Sequence, residues 1–197
     1  MDSKLEFDPA CTAVLCMDYQ NAIVSGYGGE SAAEMLARAA NVLDSARRAL
    51  MQVIYIHVGF RPGLPEISPR NALFSAIKND PERMKMFSGD GQKIHESVVP
   101  HENDIVIAKH RVGAFTGTDL DMILRAKAID TLVLFGIATS GVVLSTLVDA
   151  FDADYRLFVI GDCCADRDAQ LHTALIDKYF PSRGQVIDSA EFIRVIM

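Results

Sequence analysis

The sequence predicts an α/β fold, a doubly wound, six-stranded and mainly parallel sheet with helices on both faces. Two observations point there. Short apolar runs alternate with longer amphipathic ones, the order that a sheet covered by helices produces. Most of the short runs are continuously hydrophobic, as strands buried on both faces must be. With 197 residues, half of them hydrophobic and 23% charged, the chain is expected to form a single domain over residues 1–197, large enough to bury roughly 70% of its unfolded surface.

In chain order, strands are expected at Thr12 to Met17, Val53 to Val58, Asp104 to Ala108, Thr131 to Gly136, Arg156 to Ile160 and Gly184 to Ile187. Between the first two, Met35, Leu36, Ala39, Val42, Leu43, Ala46 and Leu50 recur at helical spacing over Glu30 to Met51, with Ser31 and Glu34 placed as a capping box. Shorter helices are expected at Asp119 to Lys127, Gly141 to Asp152, Asp168 to Tyr179 and Ser189 to Ile196. Gly59 to Pro100 holds five of the seven prolines and reads as a long connection with a short helix near Asn71 to Asn79. Such a segment is either a lid or partner surface, or plain decoration.

A formal net charge of -7 argues against nucleic acid as a partner, because phosphate binding is driven by clustered Lys and Arg. Met1 to Pro9 lacks the basic start of a signal sequence, and no apolar run reaches the roughly 18 residues of a membrane span. A cytoplasmic protein with reduced thiols and no membrane partner is expected. Cys11, Cys16, Cys163 and Cys164 form no CxxC pair. No ligand spacing joins the five histidines, so neither metal nor cofactor is expected.

In an open α/β sheet, ligands bind beyond the carboxyl ends of the strands. The first strand ends at Asp18, and the third at Lys109. The fourth runs into Gly136-Ile137-Ala138-Thr139-Ser140-Gly141-Val142, a small-residue turn opening a helix whose first N–H groups can hold an anion. If these strands are neighbours, Asp18 and Lys109 form an acid–base pair over that helix start. The alternative is that Asp18 caps a turn and Lys109 is solvated.

At these same residues the chain resembles the isochorismatase-like hydrolases, also called cysteine hydrolases. Three blocks carry the likeness: Val14 to Asn21, Lys109 to Leu120 with its Phe115-x-Gly117-Thr118-x-Leu120 run, and Gly136 to Ser140 continuing to Thr146, Asp149 and Ala150. The resemblance implies a Rossmann-like parallel sheet, a homodimer or homotetramer, and a small-molecule substrate. It also implies an Asp, Lys and Cys triad, of which Asp18 and Lys109 supply two members. The third position, six residues after Gly136, is Val142, so the thiol nucleophile is absent. Isochorismatases proper usually have Gly there and cleave a vinyl ether by protonation, which makes vinyl-ether hydrolysis through Asp18 the first expectation. Amide hydrolysis by Asp18-activated water is the alternative, and an inactive ligand-binding or scaffold member the third. Gln20, Phe60, Arg61, Arg111, Phe115, Ala138, Thr139 and Gly141 are the candidate substrate contacts, with the arginines as carboxylate clamps.

Overall fold

A computed structural model describes residues 5–197. Met1 to Lys4, the start of the stretch read for targeting signals, lie outside the described residues. Six strands, β1 (Thr12–Met17), β2 (Gln52–Val58), β3 (Ile105–Lys109), β4 (Thr131–Gly136), β5 (Arg156–Ile160) and β6 (Gln185–Ile187), pair in the order β3-β2-β1-β4-β5-β6, and every pairing is parallel. Every residue of β1 and β4 is buried, which is why both read as unbroken apolar runs.

The helices are α1 (Asn21–Tyr27), α2 (Ala32–Arg48), α3 (Ala72–Lys78), α4 (Pro81–Met84), α5 (Leu120–Ala126), α6 (Leu144–Asp152), α7 (Ala169–Ala174) and α8 (Ser189–Ile196). In α2, Met35, Leu36, Ala39, Val42, Leu43 and Ala46 form the buried stripe, and the helix packs on α8. Strand order runs one way from β1 to β3 and the other way from β4 to β6. Right-handed crossovers then place α2 on one face and α5, α6 and α7 on the other, while α8, after the last strand, returns to the α2 face. The reversal lies between β1 and β4, where ligand crevices form in such sheets.

Several boundaries differ from expectation. The third strand is Ile105–Lys109, so Lys109 belongs to the ladder, while Asp104 stays outside it and binds Arg47. The Ser31–Glu34 capping box does not form: a 3-10 turn (Gly29–Ser31) precedes α2, and the Ser31 hydroxyl turns back toward the Gly28 carbonyl. The fourth and fifth expected helices open or close with a π turn, at Thr139–Val143 and Leu175–Tyr179. Helix α1 was not expected, because only Ile23 and Val24 of its residues are buried and so short a helix shows no periodic stripe.

The connection from β2 to β3 is ordered by local capping. Asn71 Oδ1 accepts from Phe74 N at 3.1 Å, and Asp80 caps α4. Its apolar residues form a small second core of Ile67, Phe74 and Ile77, flanked by Phe60, Leu64, Met84, Phe87 and Val112.

Candidate active site

Asp18 follows the last ladder residue of β1 and takes a left-handed conformation, φ 58°. Asp tolerates this region better than most residues, yet it still costs about 1 kcal/mol. The turn bends the chain out of the sheet while Asp18 N donates to Ile56 O at 2.8 Å. Lys109 does not stand on a neighbouring strand, contrary to the condition set on the sequence, because β2 lies between β1 and β3. Its four-carbon side chain spans β2 instead, bringing Nζ to 2.9 Å from Asp18 Oδ2, and the same Nζ donates to Arg111 O at 3.1 Å.

Both charges are out of solvent, with Asp18 5% and Lys109 1% exposed. The reading of a turn cap and a solvated lysine is therefore wrong. Such a pair is costly to desolvate and persists only where its remaining valences are met. Here one is not: Asp18 Oδ1 is buried and has no hydrogen-bond partner. Burial pushes the Asp18 carboxyl above its usual range, and the Lys109 charge and hydrogen bond, together with the nearby Val58 N–H, pull it back only in part. His110, the residue after Lys109, lies 3.5 Å from Arg61, which pairs with Glu66, and Glu66 Oε2 is likewise buried without a partner.

On the other side of β1, the β4 tip approaches so closely that a Cβ on Gly136 would lie 2.7 Å from Met17 O and 2.8 Å from Met17 Cβ. Only Gly fits this position. Ile137 N donates to Met17 O at 3.2 Å, and a cis peptide joins Ile137 to Ala138. Val142, in the π turn that follows, is 2% exposed and belongs to the main core.

The other expected contacts divide. Gln20 offers nothing to a ligand, because its carboxamide is spent on Val58 N, Val58 O and Gln92 O. Phe60 packs edge-on against Phe74 and Phe87 in the second core. Arg61 pairs with Glu66 at 2.6 Å, and Arg111 Nη1 donates to the carbonyls of Glu66 and His110, so neither is held as a free anion clamp. Phe115 lies against Tyr155, ring centroids 6.2 Å apart. Tyr155 precedes β5, so Phe115 sits toward the amino end of the sheet, away from Asp18.

The first N–H groups of the helix after β4 are also engaged: Thr139 with Ala165 O, Gly141 and Val143 with Ala138 O, and Ser140 with the Asp166 carboxylate at 2.7 Å. Asp166 thus occupies the anion position expected for a ligand. Thr139 Oγ1 lies 2.8 Å from His172 Nδ1, a contact that nothing in the local sequence announces. The thiols of Cys16 and Cys163 are buried and pushed far up, that of Cys164 up to about 12, so none is poised as a nucleophile. Among the described residues no group of three His, Cys, Asp or Glu side chains is placed to hold a metal ion, and no helix is long and apolar enough to cross a membrane. Five surface cavities, at residues 9–129, 21–99, 111–179, 151–185 and 169–178 and of 410 to 860 Å³, are lined by neither Asp18, Lys109 nor Val142.

Comparison with known proteins gives consistent results. The family model described as Isochorismatase domain matches residues 12–191. A ureidoacrylate amidohydrolase RutB of Methylobacterium radiotolerans is 31% identical over 208 residues, 95% of this chain and 80% of the relative. Among solved structures, an isochorismatase family protein from Burkholderia thailandensis superposes with TM-score 0.85 at 27% identity, covering 97% of each chain. An N-carbamoylsarcosine amidase from Thermoplasma acidophilum superposes with TM-score 0.72 at 30% identity, covering 90% of this chain and 96% of that one.

Proposed function

The chain belongs to the isochorismatase family of hydrolases, and on that premise we propose that it cleaves a C–N bond in a small carboxylated substrate by means of water activated at Asp18. The observation that carries this reading is the unpartnered Asp18 Oδ1, a buried acceptor whose sister oxygen is held by Lys109. A carboxylate in this state has one oxygen fixed and one available for a proton. Burial raises its basicity toward the range where proton transfer is efficient.

In the proposed reaction Oδ1 takes a proton from water while the hydroxide adds to the substrate carbonyl. With Asp18 protonated, the negative charge lies on the carbonyl oxygen of the tetrahedral intermediate, and the Lys109 ammonium beside Oδ2 offsets it. The tetrahedral intermediate then collapses, the C–N electron pair leaves with nitrogen, and the proton passes from Asp18 to that nitrogen. Water and amide are consumed, acid and amine formed, and Asp18 returns to its starting state. Val142, where a thiol would stand, makes no covalent step and limits the room beside the carbonyl. The names of two relatives, a ureidoacrylate amidohydrolase and an N-carbamoylsarcosine amidase, favour a carboxylic acid bearing a carbamoyl or ureido nitrogen.

A second reading has one observation in its favour. The same burial that raises the Asp18 carboxyl suits an acid that gives a proton to an enol ether, so vinyl-ether hydrolysis stays the competing proposal. Purified protein and its Asp18→Asn variant are to be assayed on small ureido and carbamoyl acids and on isochorismate, before and after iodoacetamide. Ammonia or amine release lost in the variant and resistant to alkylation supports the first reading. Pyruvate from isochorismate alone supports the second, and silence on all substrates with saturable binding returns the protein to the ligand-binding alternative.

A further inference from the structure

Because Asp18 turns out of the sheet, the backbone of β1 cannot pair with the last residue of β2. The side chain of Gln20 does so instead. Its Oε1 accepts from Val58 N at 2.8 Å and its Nε2 donates to Val58 O at 3.0 Å, the two bonds that successive peptide units of a continuing strand would make. Its other N–H donates to Gln92 O at 2.8 Å. Both donors are used, the residue is 0% exposed, and a buried carboxamide so fully bonded is fixed in place.

The partner it grips matters. Val58 is the register partner of Lys109 on β3 and stands between the strands that carry Asp18 and Lys109. Gln92, the third anchor, belongs to a segment tied to the same turn: Gln20 bridges Ile94, Asn21 N donates to Lys93 O at 2.9 Å, and His95 N to Tyr19 O at 2.8 Å. One carboxamide therefore joins the end of β1, the tip of β2 and the segment 91–95.

We propose that Gln20 is the positioning residue of the Asp18–Lys109 pair: by completing the ladder to Val58 and fastening segment 91–95, it sets the separation of the two charges and keeps Asp18 Oδ1 buried. The proposal rests on the reading of Asp18 as the proton-transfer group, but its test needs no turnover and so fails separately from that reading. In Gln20→Met, side-chain length is kept and all three bonds are lost.

The Asp18 carboxyl is to be titrated by ¹³C NMR in the wild type and in Gln20→Met, with circular dichroism to show that the variant is folded. Water reaching Oδ1 relieves the burial, so the midpoint falls toward the ordinary carboxylate value, by about half a pH unit or more. A midpoint that does not move in a folded variant overturns the proposal. Should Gln20→Met fail to fold, the wild type decides. Gln20 side-chain amide protons that exchange slowly and shift with the Asp18 titration support it, and exchange as fast as that of the exposed Gln170 overturns it. If a substrate is in hand, the variant loses kcat with KM little changed.

Discussion

Two ion pairs, one buried and one half-buried, stand at opposite ends of one sheet, and they are finished differently. At the amino end, Arg47 Nη2 meets Asp104 Oδ2 at 2.7 Å, and that carboxylate also receives Arg47 Nε and His101 N. Arg47 further binds Asp44 and the Tyr55 hydroxyl, and no atom of this network is among the buried groups without a partner. At the carboxyl end, Asp18 and Lys109 are nearly as close, 2.9 Å, but Asp18 Oδ1 is left over and the backbone beneath it is left-handed. The complete network only holds the fold together. The incomplete one stores a desolvated acceptor on a strained turn, a combination that stability alone does not select.

The contrast can be broken by substitution at either end. Asp18→Asn keeps the shape and tolerates the left-handed turn, yet lowers turnover by about 10³-fold in a steady-state assay, the scale of a lost proton-transfer group, and it also costs about 3 kcal/mol by urea denaturation because Lys109 is left buried without its counter-charge. Arg47→Met costs stability without touching turnover. It leaves Asp104 buried and uncompensated, which costs about 3 kcal/mol by urea denaturation, and kcat/KM is unchanged.

Acid and base sharpen the comparison further. The native Asp18 carboxyl titrates above its unfolded value, so its contribution to stability is full below the unfolded pKa and is lost as pH rises through the native one. Unfolding measured along a pH series therefore favours Asp18→Asn progressively over the wild type across that window. The smallest effect belongs to Val142→Cys. A swap of similar volume costs under about 1.5 kcal/mol, and intact-mass analysis after iodoacetamide finds one additional alkylated thiol only if position 142 opens on the site.

Much of the sheet was legible because β1, β4 and β5 are buried on both faces, and burial writes itself as a run of Val, Leu, Ile and Phe. Asp18 and Lys109 were legible as charges placed where such runs stop. What could not be read depends on contacts distant in sequence. That β2 separates the two charges is a matter of strand order. Phe115 lies far from Asp18 because the chain after Lys109 descends along the sheet before α5, and its aromatic neighbour, Tyr155, is forty residues on. Gln20 and the two arginines were assigned to substrate by position alone, whereas the fold engages them with backbone carbonyls and with Glu66. The Thr139–His172 contact and the Asp166 carboxylate on Ser140 N join β4 to the segment after β5, and no local pattern encodes them.

The strand order also bears on how the molecule is made. β1 is central and pairs on one side with β4, whose first residue, Thr131, lies far along the chain. During synthesis β1 and β2 emerge early, but the switch point between β1 and β4 cannot close until more than half of the protein has left the ribosome. Until then an apolar strand has one open edge, a slow, non-local topology with exposed hydrophobic surface. A nascent chain halted before Thr131 is expected to need a chaperone rather than to hold a partial fold.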